Sequence, residues 1–264
     1  MTLAPDLPMP LLHRLFGLGP DGSADLAALP QPKAPLCLVG DLHGLADLLE
    51  ALLSRIAAEP EAASARLIFA GDLIDRGPDS AKVLHRVRSL TETRPGHVIC
   101  LMGNHERMLL DFLADPTSPA RRWLHAGGAE TLHSFGVPWI SGAEAASRHT
   151  AQAAALRAAL PAGLLDWLGS LPLYWQGDGL AVVHADADPG LPMAQQLPAT
   201  LLWGMGRAAP ARPDGLWLAH GHVITPEVQI TRGRISLDTG ACRTGRLSAL
   251  WLDRHGARVL KVAG

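Results

Sequence analysis

Charged residues make up only 18% of this 264-residue chain, aromatic residues only 5%, and there are just three cysteines. Lys and Arg total 23 against 25 Asp and Glu, a formal net charge of −2 with histidine neutral. With no basic excess there is no global field to hold nucleic acid or an anionic membrane. No basic run interleaved with aromatics marks a nucleic-acid phosphodiesterase either. The cysteines, Cys37, Cys100 and Cys242, are odd in number and far apart, which excludes a disulfide framework and points to a reducing compartment. Cys37 and Cys100 sit in short apolar runs, where packing is the expected role. The start, Met-Thr-Leu-Ala-Pro-Asp, lacks the basic and apolar segments of a secretory signal. The longest uncharged run, Pro189 to Gly206, is broken by prolines and carries Gln195 and Gln196, so it does not read as a membrane span. The expectation is a soluble cytoplasmic protein with no nucleic-acid or membrane partner.

What is present is 48% apolar residue, ample for a core and incompatible with a disordered chain or a coiled coil. Residues 1–34 are rich in proline and glycine and read as an irregular extension; residues 35–264 read as one domain. From Pro35 a rhythm begins. Leu36-Cys37-Leu38-Val39 reads as a strand, and Leu45, Leu48, Leu49, Leu52, Leu53 and Ile56 recur at helical spacing before Pro60. Leu67 to Ala70 and His97 to Met102 repeat the strand signal, with a helix expected from about Asp79 to Thr93 between them. Three strand–loop–helix units predict an α/β fold with a largely parallel sheet and functional loops at the strand C-terminal ends. Residues 107 to about 178 read as helix and loop. The strand Leu180–Val183 follows, then strands near Leu216–Ala219, Val228–Ile230, Ile235–Leu237, Leu247–Trp251 and Val259–Val262. Glycine and charged turns between these last five predict antiparallel pairing.

The strand ends carry the chemistry. Gly40-Asp41-Leu42-His43-Gly44 follows the first strand and Gly71-Asp72-Leu73-Ile74-Asp75-Arg76-Gly77 the second. Gly103-Asn104-His105-Glu106 follows the third, His184-Ala185-Asp186 the fourth, and His220-Gly221-His222 the fifth. Any one Gly-Asp is ordinarily a turn. Turn chemistry gives no reason for ligand-type residues at five successive strand ends, four of them with imidazoles, whereas carboxylate, imidazole and amide oxygen together suit divalent Mn, Fe, Zn or Ni. Adjacent strands lie roughly 4.8 Å apart, so such residues can converge on one volume. Glu106 suits the start of a helix. His85, His97, His125, His133, His149 and His255 read as packing or surface residues. The seven tryptophans are expected mainly in the core.

In this order the motifs resemble the calcineurin-like metallophosphoesterases, most closely the bacterial and phage serine/threonine protein phosphatases, with the diadenosine tetraphosphate hydrolases nearby. The segment Trp123-Leu124-His125-Ala126-Gly127-Gly128, with Thr131-Leu132 and Phe135-Gly136, is similar to the same bacterial branch. The resemblance implies a four-layer αββα sandwich of two mixed β-sheets flanked by helices. It implies two divalent metal ions, Mn first with Fe, Zn or Ni as alternatives. Asp41 and His43 would bind one, Asp72 would bridge both, and Asn104, His184 and His222 would bind the second. A metal-bridging hydroxide would attack phosphorus, with His105 as general acid, Asp75 orienting its imidazole, and Arg76 holding phosphate oxygens. His220, two residues before His222, reads first as a partner behind the ligands, with a ligand or a plain strand residue as alternatives.

Two positions depart from the pattern. Relatives commonly place a second phosphate-binding arginine shortly after a Leu-Trp pair; here Arg207 comes four residues after Trp203, which makes it a candidate for that role or a solvated loop residue. Asp186 stands where many relatives carry glycine. The implied activity is hydrolysis of phosphomonoesters, on phosphorylated protein or small phosphoesters. The alternatives are a dinucleoside polyphosphate hydrolase or a non-catalytic binding module of the same fold.

Overall fold

The computed structural model describes residues 29–117, 120–140, 145–206 and 210–264. Arg207 therefore lies outside the described residues, as does most of the expected N-terminal extension. Of that extension Leu29 is buried among core side chains.

The alternation of buried side chains builds two sheets. Strands β1 (Leu36–Val39), β2 (Arg66–Phe69) and β3 (Val98–Cys100) pair in parallel, as the strand–loop–helix rhythm predicts. Between them run α1 (Ala46–Ala57) and α2 (Ser80–Thr93), each burying a leucine- or valine-rich stripe. After β3 come α3 (Asn104–Ala114), α4 (Ala120–Trp123), a π-helical turn (Leu124–Gly128) and α5 (Ala129–Ser134). Next are α6 (Ala145–Ala159) and α7 (Leu164–Gly169). The chain then forms β4 (Tyr174–Gly177), β5 (Leu180–Val183), the short α8 (Pro198–Trp203), and β6 (Trp217–His220). It closes with β7 (Gln229–Thr231), β8 (Arg234–Ser236), α9 (Ala241–Thr244), β9 (Arg246–Asp253) and β10 (Gly256–Ala263).

The first sheet runs β10-β9-β1-β2-β3 and the second β4-β5-β6-β8-β7, and both are mixed. Cys37, Val39, Leu67, Phe69, Ala249 and Trp251 point from the first sheet to the helices, while Leu36, Leu38, Ile68, Leu250 and Leu252 point to the second sheet. There they meet Leu180, Val182, Trp217, Ala219, Ile230 and Ile235. On its outer face the second sheet offers Ala181, Val183 and Leu218 to Leu201 of α8 and to Met193. The four-layer arrangement of two mixed sheets flanked by helices follows from this alternation.

Three expectations are corrected. Strands β6 and β8 lie parallel to β5 and to each other, so the expectation of antiparallel pairing holds only for β7–β8 and β9–β10. Strand β4, antiparallel to β5, occupies residues read as helix and loop. Helix α3 starts at Asn104, so Asn104, His105 and Glu106 form its first turn. Cys37 and Cys100 are buried free thiols, and burial pushes both upward in pKa, as packing residues should be.

Candidate metal centre

The loops after β1 and β2 are stitched together by their backbones. The N–H groups of Leu42 and His43 both donate to Asp72 O, at 3.0 and 2.9 Å, and Gly44 N donates to Leu73 O at 2.8 Å. Glu106, fully buried on α3, fixes the second loop from below. Its carboxylate accepts the N–H groups of Gly103, Asp72 and Leu73 at 2.9, 2.9 and 2.8 Å, and of Ile74 at 3.3 Å. Burial and the neighbouring Asp72 push the Glu106 carboxyl up, against those N–H groups, which favour its anion. The expected helix-start role is therefore only part of what Glu106 does.

His43, Asp72, Asp75, Arg76 and His222 all have positive φ, between 46° and 72°. Among the described residues only three other non-glycine residues do so. Such backbone is costly for side chains with a Cβ and concentrates at functional loops. The left-handed turns swing these side chains into one volume. The ligand-capable atoms of His43, Asp72 and His105 lie within 4.8 Å of one another, and so do those of Asp72, His184 and His222. Asp72 belongs to both groups. Its Oδ2 is 3.6 Å from His43 Nε2 and its Oδ1 3.3 Å from His184 Nε2. Asp41 Oδ2 stands 4.0 Å from His43 Nε2, and both Asp41 oxygens accept His222 N.

Second ring nitrogens are tethered to carbonyls, His43 Nδ1 to Ile74 O at 2.9 Å and His184 Nδ1 to Ala70 O at 3.0 Å. This leaves Nε2 of each free to accept. Burial lowers His43 to about 4, His222 to about 4 and His184 below its ordinary value, keeping these imidazoles neutral. Burial, then Asp238 and Asp72, push Asp41 well above the ordinary carboxylate range. Asn104 Oδ1 lies 2.8 Å from His184 Nε2, and the amide faces both Asp72 oxygens and His222 Nδ1 as well. Oxygen and nitrogen atoms of four residues, Asp72, Asn104, His184 and His222, thus converge on one space. That donor set fits divalent cations.

A second constellation borders the first. His105 Nδ1 donates to Asp75 Oδ2 at 2.6 Å. Asp75 is itself held by the Trp123 indole N–H at 3.0 Å and the Thr131 hydroxyl at 2.6 Å. Burial pulls the His105 pKa down, but Asp72 and the Asp75 bond outweigh it, and the net shift is upward. Arg76 spans the two groups, donating to His43 Nε2 at 2.8 Å and His105 Nε2 at 3.0 Å.

The structure brings Asp41, His43, Asp72, Asn104, His184, His222, His105, Asp75 and Arg76 together. His220 sits behind them, bonded to Gly221 O and Ser236. Trp123 and Thr131, which hold Asp75, had no role assigned by sequence reasoning. The only signal was the Trp123–Thr131 segment's own likeness to the bacterial phosphatases.

A two-sheet α/β sandwich with paired donor sets at its strand ends defines a class of metal-dependent phosphoesterases. Residues 34–222 match the calcineurin-like phosphoesterase family, and the chain belongs to it. It is 33% identical over 153 residues to a symmetrical bis(5′-nucleosyl)-tetraphosphatase of Pseudomonas fluorescens, covering 57% of this chain and 42% of the relative. It is 33% identical over 152 residues to serine/threonine-protein phosphatase 1 of Salmonella typhimurium, covering 52% of this chain and 64% of that one. The chain thus matches less than two thirds of the length of either relative. In fold it is similar to a protein serine/threonine phosphatase from Saccharomyces cerevisiae, with TM-score 0.60 and 14% identity over 88% of this chain and 81% of that one. Among the described residues no helix is long and apolar enough to cross a membrane.

Proposed function

We propose that residues 35–264 form a dinuclear-metal-dependent phosphomonoester hydrolase of the serine/threonine protein phosphatase type. The observation that carries this reading is a polarised acid at the junction of two donor groups: His105, grouped with His43 and Asp72 and bonded at 2.6 Å to Asp75, stands against the Asp72 carboxylate that both groups share. Asp41, His43 and Asp72 would hold one cation; Asp72, Asn104, His184 and His222 would hold the other. Mn suits these oxygen and nitrogen donors, with Fe, Zn or Ni as alternatives. Two bound cations supply Lewis-acid charge to a phosphoryl group and make water nucleophilic near neutral pH.

The chain's own residues do the rest. Arg76 offers two parallel N–H donors to phosphoryl oxygens, leaving the imidazoles it touches here. His105 carries a proton on Nε2 and gives it to the departing oxygen. Asp75 accepts Nδ1–H, which fixes the ring and favours its charged form. Trp123 and Thr131 keep Asp75 aimed at His105. Glu106 fixes the loop that presents Asp72 and Asp75.

The Pseudomonas relative favours a second reading, hydrolysis of diadenosine tetraphosphate or another dinucleoside polyphosphate at the same site. Turnover of a phosphoserine peptide against diadenosine tetraphosphate separates the two. For either, His105→Asn lowers kcat by about 10²–10⁴-fold while metal content per chain stays unchanged. Absence of hydrolysis with Mn, Fe, Zn and Ni alike would sink the proposal.

A further inference from the structure

Beside His222 a cavity of about 490 Å³ opens on the outer face of the second sheet. Its position follows from strand alternation. Ile235 of β8 faces the inter-sheet core, so its neighbours Arg234 and Ser236 face outward, as does His220 of β6 beside the core-facing Ala219. Trp203 and Met205, from α8 and the turn after it, and Val223 supply an apolar wall opposite these polar groups. Small-molecule sites run to roughly 300–1,000 Å³, so the space is adequate for the organic part of a phosphoester.

Arg234 is the charged group of this cavity whose hydrogen bonding is incomplete. Its Nη2 donates to Asp186 Oδ1 at 2.8 Å, but that oxygen also accepts Ala187 N at 2.8 Å, and the contact is single rather than forked. Nη1 of Arg234 is buried with no hydrogen-bond partner. The other polar groups nearby are engaged with each other: His220 Nε2 with Ser236 Oγ at 3.2 Å and His220 Nδ1 with Gly221 O at 3.0 Å. A guanidinium carries five N–H donors in a planar fork that matches an oxyanion. A buried donor without an acceptor is unfavourable, and a charged donor recovers most from a charged acceptor. Asp186 anchors the fork without filling it.

We propose that Arg234 is a specificity-determining residue, which receives an oxyanion carried on the leaving group of the phosphoester, and that Asp186 positions it. The inference rests on the hydrolase reading above. Arg76 contacts the scissile phosphoryl group in that reading; Arg234 contacts a second anionic group, in the cavity that His222 also lines.

The test uses phenyl phosphates bearing a carboxylate or a second phosphate at the meta or para position, each against the neutral carbamoyl ester, with the Mn-loaded full chain. The quantity read is the ratio of kcat/KM, anionic over carbamoyl. Arg234→Gln is expected to lower this ratio about tenfold, and Arg234→Lys, a point charge in place of a fork, to lower it less. In the wild type the ratio shrinks as salt approaches 1 M, where the screening length is about 3 Å, a readout needing no variant. The carboxylate and phosphate arms identify which oxyanion is preferred. A ratio unchanged by Arg234→Gln and by salt, with all esters slowed together, would mean that Arg234 is merely structural and would overturn the inference alone. If the wild type turned over none of the esters with any of the four metals, the hydrolase reading would fall and this inference with it.

Discussion

The indole N–H of Trp123 donates to the carboxylate of Asp75 at 3.0 Å, across 48 residues of sequence. Trp123 is fully buried, its ring 4.7 Å from that of Phe112, and a Cβ at Gly128 would come 2.5 Å from the indole. The tryptophan is therefore tightly packed where it grips the carboxylate. Because Asp75 in turn holds His105, the effect of the indole should reach turnover. Trp123→Phe keeps the ring and removes one bond to a charged acceptor, a contact worth about 1.5–3 kcal/mol. We expect kcat on an aryl phosphate to fall about tenfold or more, with KM and metal content little changed. A variant with normal kcat would show that Asp75 needs no such support.

Glu106→Gln tests the carboxylate beneath the second loop. Glutamine keeps one acceptor oxygen but turns an NH2 toward backbone N–H groups that now donate to a carboxylate. The expected loss of stability is about 2–4 kcal/mol in urea unfolding, since buried donors are left unpaired. Metal affinity should fall with it, because Asp72 loses its backbone anchor. Unchanged stability would mean that the loop holds its shape unaided.

Gly221→Ala concerns a single methyl group. A Cβ at this position would overlap Asp41 Oδ1, whose carboxylate is clasped by the next residue's N–H. Gly221 has no positive φ, so the backbone itself tolerates alanine. The methyl must displace Asp41, and metal titration should show weakened binding at one of two sites while the fold remains intact by circular dichroism. Two undiminished sites would remove Asp41 from the ligand set.

Of these contacts, only some could be read before the fold was known. A ligand-type residue at the end of each apolar run, after a glycine except at His184, marked Asp41, Asp72, Asn104, His184 and His222, because strand end and donor are adjacent in sequence. Apart from the likeness of their segment to the bacterial phosphatases, nothing tied Trp123 and Thr131 to Asp75, which they reach from separate helices. Edge strand β4 was hidden because Tyr174-Trp175-Gln176-Gly177 is nowhere fully buried and shows no apolar alternation. Parallel pairing of β6 with β5 and β8 was hidden for a related reason: the partners are joined by long crossovers, while glycine and charged turns suggested antiparallel neighbours. The Asp186–Arg234 pair joins residues 48 apart, and a departure from glycine at 186 was its only trace.

A fourth prediction concerns the hairpin of β9 and β10. Asp253 accepts His255 N at 2.7 Å, the Trp251 indole at 2.9 Å and Arg258 at 2.9 Å. Burial raises its pKa, but these three donors outweigh burial and hold the carboxyl below its ordinary value. A depressed carboxyl stabilises the fold above the unfolded-state value, about pH 4, and that contribution disappears as pH falls toward the folded value. Asp253→Asn should therefore cost about 1–3 kcal/mol at pH 7, and the gap to wild type should close as pH drops below about 4. A gap constant from pH 7 to pH 3 would assign the loss to packing instead of charge.

Strand β1 lies between β2, which follows it closely, and β9, whose pairing residues Ala249 to Leu252 come some two hundred positions later. Asp41 is bound to the amide of His222 across 181 residues. A nascent chain emerging from the ribosome thus keeps the β9-facing edge of β1 open, and carries half-built ligand loops, until β9 has been synthesised. Closure over such separations is slow. Cation uptake should accordingly be a late event in biogenesis, and a chaperone that shields the β1 edge should raise the yield of loaded protein.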